Sequence, residues 1–241
     1  MKLFEEQDFI HQLSIDCVIF GYKEQELKVL VPKLALQKSL WALPGGFIMQ
    51  KESIDTAARR ILEERTGLKN IYLEQFRVFG QVERTNHEVF DEMTAIKNEL
   101  VENGIFNESN INWLKKRFVS IGYYALVDID KVHPQSTDFD ESIAWYNIKD
   151  LPKMIIDHNE MVVYALETLR QNLDQKLIGF NLLPETFTMK EVQELYEAIY
   201  DKPFARNNFQ KKILDLKVLE RLEKKFTGAA HKAPYLYRFK R

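Results

Sequence analysis

Apolar and polar positions divide the first 175 residues into strand-like and helix-like stretches. Residues 14–22 (SIDCVIFGY) are β-branched and almost continuously apolar, and residues 26–32 follow after a short polar turn. Together they predict a hairpin. Further elements of the same unit are predicted as strands at 71–82, 118–129 and 145–148 and as a helix at 157–173.

Residues 45–68 combine a Gly-Gly pair, a polar loop and an amphipathic helix. Gly45 and Gly46 predict a tight turn, whose backbone needs φ values or close approaches that only glycine tolerates. Ser53 is suited to cap the helix and Gly67 to end it, so we expect a helix over 53–65. Its apolar face consists of residues at helical spacing, namely Ile54, Ala57, Ala58, Ile61 and Leu62.

Residues 85–116 are polar and helix-prone, unlike the strands on either side. Asn103 and Gly104 break this stretch. We therefore predict an inserted pair of helices, at about 88–102 and 108–116, within an insertion that covers about 85–117.

The pattern changes after residue 175, where short helices and a hairpin replace the long strands. Thr188 and Glu191 have the spacing of a capping box, which predicts the start of a helix. Residues 206–216 predict a second helix, and residues 218–224 and 235–239 alternate like two strands. Helix, turn, helix and hairpin is the order found in a winged helix-turn-helix domain.

Charge is distributed unevenly between these two parts of the chain. The 241 residues carry a net charge of -2, yet the last 40 contain twelve basic and three acidic residues. The first 201 residues therefore carry -11. Such asymmetry favours a basic nucleic-acid or membrane-binding unit on an acidic body, with a solvated basic face as the plainer alternative.

The cysteine content and the hydropathy of the chain bear on where in the cell the protein is expected. Cys17 is the single cysteine and lies in an apolar run, which predicts a buried free thiol. The first residues include acids where a signal peptide has an apolar core, and no apolar run approaches about 18 residues. We therefore expect no membrane segment and a cytoplasmic protein.

The loop and helix after Gly46 resemble the signature of the Nudix hydrolases in both spacing and residue type. The matching residues are Gly46, Glu52, Arg60, Leu62, Glu64, Gly67 and Leu68. A Trp-x-Leu-Pro sequence at Trp41 and the segment around Trp145 extend the resemblance over roughly residues 10–173. The resemblance implies an α/β/α sandwich with a mixed sheet.

Nudix hydrolysis needs three glutamates at i, i+3 and i+4, which hold Mg²⁺ against a diphosphate and help activate water. Here those positions are Ile61, Glu64 and Arg65, and the arginine would repel the cation. Glu63 points about 100° away from Glu64 around the helix. We therefore expect no hydrolysis, no metal and no cofactor. Glu64 is either a surface carboxylate paired with Arg60 or a polar part of a ligand pocket.

The substrate cleft of this fold also depends on the sheet and loops, so we predict an effector pocket that persists without catalysis. Trp41 and Tyr123 could instead be ordinary core residues. Lys33 and Arg77 could instead be ordinary solvated side chains. The residues predicted to line the pocket are Lys33, Trp41, Gly46, Phe47, Glu64, Arg77, Gln81 and Tyr123.

The sequence of residues 206–216 predicts a DNA-recognition helix, because the apolar residues fall on one face and the polar residues project from the other faces. Arg, Asn and Gln suit bidentate reading of guanine and adenine, and lysines suit phosphates. A basic dimerisation appendage is the alternative. The predicted DNA contacts are Arg206, Asn207, Asn208, Gln210, Lys211, Lys212, Lys224, Lys225, Lys232 (in the expected wing) and Arg238.

A degenerate Nudix-like domain followed by a winged helix is similar to the Nudix-related transcriptional regulators of nicotinamide cofactor metabolism or sugar use. Residues 177–200, 206–209 and 236–239 resemble the C-terminal part of that family. The expected fold is α+β, with a Nudix-like effector domain at 1–175 and a winged helix-turn-helix domain at 176–241. The resemblance implies a homodimer that binds a double-stranded DNA operator and responds to a small-molecule effector.

The effector and two rival functions stay open. The C-terminal resemblance favours a sugar such as arabinose over an ADP-ribose-like metabolite, since a lost metal site removes one handle for a diphosphate. One rival is a Nudix hydrolase of ADP-ribose or related nucleoside diphosphate derivatives that uses Glu52, Glu63 and Glu64. The other is a scaffold that carries a basic tail and does not bind DNA.

Overall fold

A computed structural model gives the architecture of the chain. It describes residues 6–36, 38–84, 91, 94, 108–137, 139–173, 181–225 and 233–240. The break at Asn103 and Gly104, the wing residue Lys232 and nearly all of the helix predicted at 88–102 lie outside these ranges, so the expectations for them stay predictions.

Six strands form the sheet of the N-terminal part. They are β1 (Phe9–Lys23), β2 (Glu26–Leu34), β3 (Gly45–Met49), β4 (Tyr72–Phe79), β5 (Val119–Asp128) and β6 (Asp140–Asn147). Their order is β4-β5-β1-β2-β6, with β3 paired to β1. The β1–β5 pair is parallel and the other pairs are antiparallel, so the sheet is mixed, as predicted.

Pairing partners set the ends of several strands. β1 begins at Phe9 rather than at residue 14, because Phe9 pairs with Met49 of β3. β2 extends beyond the predicted residues 26–32 to Leu34, because Lys33 and Leu34 both pair with β6. A strand extends as far as a neighbour can satisfy its backbone hydrogen bonds, which local sequence does not reveal.

Helices cover both faces of this sheet. They include α1 (Ile54–Thr66), α2 (Glu108–Leu114) and α3 (His158–Asn172). Side chains alternate along β1, so Ile15 and Cys17 lie in the same buried cluster as α1, whereas Val18 and Phe20 lie in the cluster that contains α3. This arrangement is the predicted α/β/α sandwich. None of the described helices is long and apolar enough to cross a membrane.

The C-terminal part is a winged helix, as predicted. Its elements are β7 (Phe187–Thr188), α4 (Met189–Tyr200), α5 (Arg206–Asp215), β8 (Leu219–Lys224) and β9 (Tyr235–Phe239), with the strand order β7-β9-β8. The capping box is formed. Thr188 Oγ1 accepts from the Glu191 N–H at 3.2 Å, and the Glu191 carboxylate accepts from the Thr188 N–H at 2.6 Å.

One hydrophobic core runs through both parts of the molecule. Leu169 of α3 and Leu195 of α4 belong to the same buried cluster, which also contains side chains of the large sheet. Two polar contacts join the same helices. Arg170 Nε donates to the Ile199 carbonyl at 2.7 Å, and the Tyr200 hydroxyl donates to the Arg170 carbonyl at 2.9 Å. The winged helix is therefore packed directly against the sandwich.

Candidate functional site

Gly45 and Gly46 lie in extended β3, and the tight turn predicted for them is wrong. Among the described glycines, Gly67 alone has a positive φ, at 70°. The other reason predicted for the pair, close approach of the backbone, is confirmed. A Cβ on Gly45 would lie 2.4 Å from Asp16 Oδ1, and one on Gly46 would lie 3.0 Å from the Ile61 side chain. Glycine thus lets β3 lie directly against β1 and α1.

The ends of α1 follow the predicted signals. Ser53 Oγ accepts from the Thr56 N–H at 3.2 Å, and Gly67 ends the helix in the left-handed conformation. One residue of the predicted apolar face differs: Ile54 is 38% exposed, because the first turn of the helix lies at the surface. The remaining four predicted residues are buried.

Arg60 fixes the polar loop to α1. Its Nη2 and Nε lie 2.7 and 3.1 Å from the two carboxylate oxygens of Glu52, and Nη2 donates to the Phe47 carbonyl at 2.9 Å. Its Nη1 lies 3.2 Å from Glu64 Oε2. The hydrogen bonds from Arg60, with another from the Met49 N–H, hold the pKa of the Glu52 carboxyl below its usual value. Glu52 therefore ties the loop to α1, while Glu64 pairs with the same arginine within the helix.

Two of the three metal-binding positions of the Nudix pattern point into the core. Ile61 is 1% exposed and Arg65 is 4% exposed. Arg65 Nη1 lies 2.5 Å from Asp140 Oδ2, which also accepts from the Thr137 N–H and hydroxyl at 2.7 and 2.8 Å. Arg65 was expected to repel a cation at the cleft. It forms a buried ion pair instead, which fastens the start of β6 to the end of α1.

These side chains do not fit the Mg²⁺ that the Nudix pattern implies. Mg²⁺ prefers several oxygen ligands in octahedral geometry. Glu64 is the one carboxylate left at the three positions, and it is 3.2 Å from Arg60. Glu63 turns towards Lys69, at 3.1 Å. Within the described residues, no three His, Cys, Asp or Glu side chains gather closely enough to hold a metal ion.

Two aromatic residues predicted for the pocket lie on opposite faces of the sheet. Tyr123 is 3% exposed in the cluster with α1, and its hydroxyl donates to Asp55 Oδ1 at 2.7 Å. Burial, together with Asp55, raises the pKa of this phenol. Trp41 packs against the cluster on the α3 side, where its Nε1 donates to the Tyr146 hydroxyl at 3.1 Å.

The polar candidates of the predicted pocket are also dispersed. Lys33 Nζ lies 2.7 Å from Glu141, and the Arg77 guanidinium lies 3.7 Å from the centre of the Tyr164 ring on α3. Gln81 is exposed. The structure therefore brings one group of predicted residues to α1 and its loop, and that group is Gly46, Phe47, Glu64 and Tyr123.

Phe47 belongs to an aromatic cluster that joins β3 to the insertion. Its ring centre lies 4.7 Å from that of Trp113, 5.4 Å from that of Phe118 and 5.8 Å from that of Phe9. Trp113 is a fully buried residue of α2, which corresponds to the helix predicted at 108–116. The second half of the insertion thus packs against β3 and the start of β1.

Sequence reasoning missed a buried polar cluster between β1, β5 and the start of α3. Arg84 Nε lies 2.9 and 3.1 Å from the carboxylate oxygens of Asp157. Arg84 Nη2 donates to Asp16 Oδ2 at 3.2 Å, and the Ser120 hydroxyl donates to the same oxygen at 2.5 Å. The four residues lie far apart in the chain, so no local pattern identified them.

His158 completes this cluster and connects it to the segment before β3. Its Nδ1 accepts from the Leu43 N–H at 2.8 Å, so the ring proton lies on Nε2, 3.8 Å from Asp16 Oδ2. Burial lowers the pKa of the imidazole. The start of α3 is thereby held next to the segment that leads into Gly45.

The polar side chains of α5 project away from the core. Phe209 and Ile213 are 2% and 0% exposed, and Ala205 begins the helix without a side-chain cap. Gln210 is half-buried. The predicted DNA contacts that are exposed on this helix are Arg206, Asn207, Asn208, Lys211 and Lys212. The structure thus leaves these five predicted residues exposed around α5.

A groove of about 410 Å³ opens beside the start of α5. Lys202 Nζ lies 5.2 Å from the ring centre of Tyr200 and 5.5 Å from that of Phe204, and Lys212 Nζ lies 5.8 Å from that of Tyr196. The groove is therefore basic. Its lining residues are Lys202, Pro203, Phe204, Ala205, Asn208, Phe209 and Lys212.

Two of the predicted phosphate contacts are paired with carboxylates of the chain itself. Lys225 Nζ lies 3.2 Å from Glu191, and Arg238 Nε lies 2.8 Å from Glu220. Both pairs are largely exposed, so their contribution to stability is small. A DNA phosphate would have to compete with these carboxylates.

The hairpin also contains a basic and aromatic group that sequence reasoning missed. The Arg221 guanidinium lies 4.4 Å from the ring centre of Tyr235, and Lys224 Nζ lies 5.5 Å from it. Lys224 was a predicted contact, whereas Arg221 and Tyr235 were not. Pairing of the two predicted strands offered a signal, because Lys224 and Tyr235 are cross-strand partners.

Two family models match the chain. Residues 10–165 match the NUDIX domain, and residues 179–239 match the NrtR DNA-binding winged helix domain. The chain is 26% identical over 244 residues to the ADPR responsive transcriptional repressor NtrR of Acinetobacter baylyi, with 98% of this chain and 85% of the relative covered.

Two crystal structures of Shewanella oneidensis NrtR have a similar architecture. One is 26% identical with a TM-score of 0.70, and the other, complexed with a 27mer DNA, is 24% identical with a TM-score of 0.71. Each match covers 95% of this chain and 94% of the other. Since the NUDIX model matches more than half of the chain and the NrtR winged helix follows it, the chain belongs to the Nudix family, as a Nudix-related DNA-binding transcriptional regulator.

Proposed function

We propose that this regulator is a repressor whose Nudix domain binds ADP-ribose and which then releases its operator. One observation carries the proposal: a relative described as an ADPR responsive transcriptional repressor aligns with 98% of this chain. The alignment spans the sensor and the DNA-binding domain together. The comparisons lend no support to the sugar effector, such as arabinose, that the sequence favoured.

In this proposal the Nudix domain senses ADP-ribose and does not hydrolyse it. Ile61 and Arg65 are directed into the core, and Arg60 bonds both Glu52 and Glu64. Nudix hydrolysis needs carboxylate oxygens free to hold Mg²⁺ against the diphosphate. The domain therefore lacks the ligand set for turnover.

The DNA-binding part of the proposal is a homodimer whose two α5 helices enter successive major grooves. Such dimers read half-sites about one helical turn apart. Arg206 and Asn207 would read base edges, and the lysines around them would contact phosphates. We also propose that the domain division lies between residues 175 and 176.

Helix α3 connects the segment before β3 to the DNA-binding domain. Its first residue, His158, bonds to Leu43 just before β3, and Arg170 near its end bonds to α4. A ligand that displaces β3 would thus displace a helix packed on the winged helix. The response also requires ADP-ribose to bind the two dimer geometries with different affinity, because equal affinity shifts no equilibrium.

A titration of a labelled duplex from upstream of the protein's own operon tests this function. Binding is followed by fluorescence anisotropy with ADP-ribose or arabinose added to the full-length protein. We expect ADP-ribose to weaken binding at least tenfold and arabinose to have no effect. A response to arabinose alone would overturn the effector, and no binding to the duplex would favour a scaffold with a basic tail.

A parallel incubation with ADP-ribose and Mg²⁺ tests the absence of hydrolysis. Chromatography should return ADP-ribose intact. Release of AMP that is lost in the Glu64→Gln variant would instead support the hydrolase that uses Glu52, Glu63 and Glu64.

A further inference from the structure

The outward face of α5 carries an apolar side chain among its polar ones. Leu214 is 41% exposed. At about 100° per residue, Asn207, Lys211 and Leu214 fall on one stripe of the helix, opposite the buried Phe209 and Ile213. Leu214 therefore occupies the face on which the predicted base contacts lie.

The exposed apolar side chains of the C-terminal part lie on its second helix and its hairpin, the elements with which a winged helix contacts DNA. Among described residues 181–225 and 233–240, the large hydrophobic side chains that are exposed are Leu214 on α5 and Tyr235 on the hairpin. Tyr235 lies beside Arg221 and Lys224. Leu214 packs into no core, so a contact with an apolar group of a partner would be favourable.

The major groove presents one apolar group, the 5-methyl of thymine. We propose that Leu214 contacts a thymine methyl and makes the protein specific for thymine at that position of each half-site. The inference rests on the proposed DNA-binding function with α5 as the recognition helix. It adds a base preference that none of the polar contacts supplies.

Helix geometry places this thymine relative to the base read by Asn207. The two residues are seven apart, which is about 10 Å along the helix at 1.5 Å per residue. Base pairs are stacked about 3.4 Å apart, so the two contacts fall roughly three base pairs apart when α5 follows the groove. An asparagine amide is suited to adenine. The expected half-site thus has adenine and thymine separated by about three positions.

Removing single methyl groups from the operator tests the proposal directly. Each thymine of the duplex is replaced in turn by deoxyuridine, which differs by the methyl alone, and affinity is measured by anisotropy with the full-length protein. We expect one position per half-site at which the replacement weakens binding about fourfold, the ratio that corresponds to one buried methylene-sized group.

The Leu214→Ala variant supplies the second half of the test. It should bind the thymine operator about 16-fold more weakly, because the dimer loses the fourfold contact in both half-sites, and it should not respond to deoxyuridine at the sensitive position. Val163→Ala is the matched control, because Val163 is 55% exposed on α3 and outside the winged helix. That variant should retain the full deoxyuridine effect.

Three outcomes would overturn the proposal. The first is a wild-type protein that binds the operator but is indifferent to deoxyuridine everywhere. The second is an equal deoxyuridine effect in wild type and Leu214→Ala. The third is a change in sedimentation with Leu214→Ala, since Leu214 would then contact a second copy of the chain. A wild type that binds no DNA would instead refute the proposed function itself.

Discussion

Helices α1 and α5 are both amphipathic and both carry basic side chains, but two of the three arginines of α1 have surroundings opposite to those of the exposed cations of α5. In α1, Arg60 bonds to Glu52 and Arg65 to Asp140. In α5, Arg206 and Lys211 project into solvent. Cations bonded inside the chain support the fold, whereas exposed cations are available to an anionic partner. A basic residue in an amphipathic helix therefore indicates a binding surface only when the structure leaves it exposed.

The two helices also differ at their first residues. Ser53 caps α1 through its hydroxyl, whereas Ala205 begins α5 without a side-chain cap. An uncapped start leaves N–H groups of the first turn available, and such groups favour phosphate oxygens. A side chain thus caps the first turn of α1, whereas no side chain caps the first turn of α5.

The largest expected effect comes from the buried ion pair of α1. Arg65→Met leaves Asp140 buried and unpaired, which should lower the free energy of unfolding by about 3 to 5 kcal/mol. Urea unfolding followed by circular dichroism measures the change. Arg65→Met combined with Asp140→Asn removes the uncompensated charge and should recover at least half of it. A loss below about 1 kcal/mol in the single variant would contradict the structural role assigned to Arg65.

Removing cations from α5 should weaken DNA binding and leave the fold intact. Arg206→Ala with Lys211→Ala should reduce operator affinity roughly 100-fold, because a base contact and a phosphate contact are both lost. The free energy of unfolding should change by less than about 0.5 kcal/mol. The matched control is Arg59→Ala with Lys69→Ala, which removes one exposed cation of α1 and one just after its end. Equal losses in both variants would mean that charge alone, rather than α5, determines binding.

The hydrogen bonds between Glu52 and Arg60 should make a contribution to stability that depends on pH. Glu52→Gln should lower the free energy of unfolding by about 1.5 kcal/mol at pH 7, since it weakens charge-assisted hydrogen bonds. The folded-state pKa of Glu52 lies below its ordinary value of 4.5, so its contribution is complete above pH 4.5 and lost as pH falls through the folded pKa.

Thermal unfolding from pH 7 to pH 3 should therefore show the wild type and Glu52→Gln converging in acid. Glu63→Gln serves as the control, because the ion pair of Glu63 with Lys69 is exposed and contributes little. A difference between wild type and Glu52→Gln that persists unchanged at pH 3 would rule out the ionised carboxylate as its source.

The smallest effects concern the two helix starts. Ser53→Ala should destabilise the protein by about 1 kcal/mol through loss of the cap, and Ala205→Asp should stabilise it by a similar amount. The aspartate should at the same time weaken operator binding, because its charge opposes a phosphate at the start of α5. Tighter DNA binding by Ala205→Asp would argue against a phosphate at that end.

Local patterns predicted the elements but not the long-range polar contacts. Helix periodicity, the Ser53 cap and the Thr188 capping box involve residues within four positions of one another, and the structure contains all of them. Arg65 and Asp140 are 75 positions apart, and Asp16 and Arg84 are 68 apart. A single sequence does not reveal that such residues meet, so Arg65 was interpreted as a cation-repelling residue at the cleft.

The requirement for Gly45 has the same origin. Its neighbour in space is Asp16 on β1, and the turn predicted for the Gly-Gly pair came from residue type alone. The pocket candidates were dispersed for a related reason. Trp41 and Arg77 contact elements on the α3 side of the sheet, a placement that depends on strand order and not on their local sequence.

The core shared by α3 and α4 has a consequence for how the protein melts. Because Leu169 and Leu195 lie in one buried cluster, neither domain can unfold without exposing apolar surface of the other. Calorimetry should therefore record a single cooperative transition. A ligand of the sensor domain should raise the melting temperatures of both domains by the same amount. The winged helix would then be an integral part of one folding unit, and a fragment lacking it would expose the apolar surface that α4 now covers.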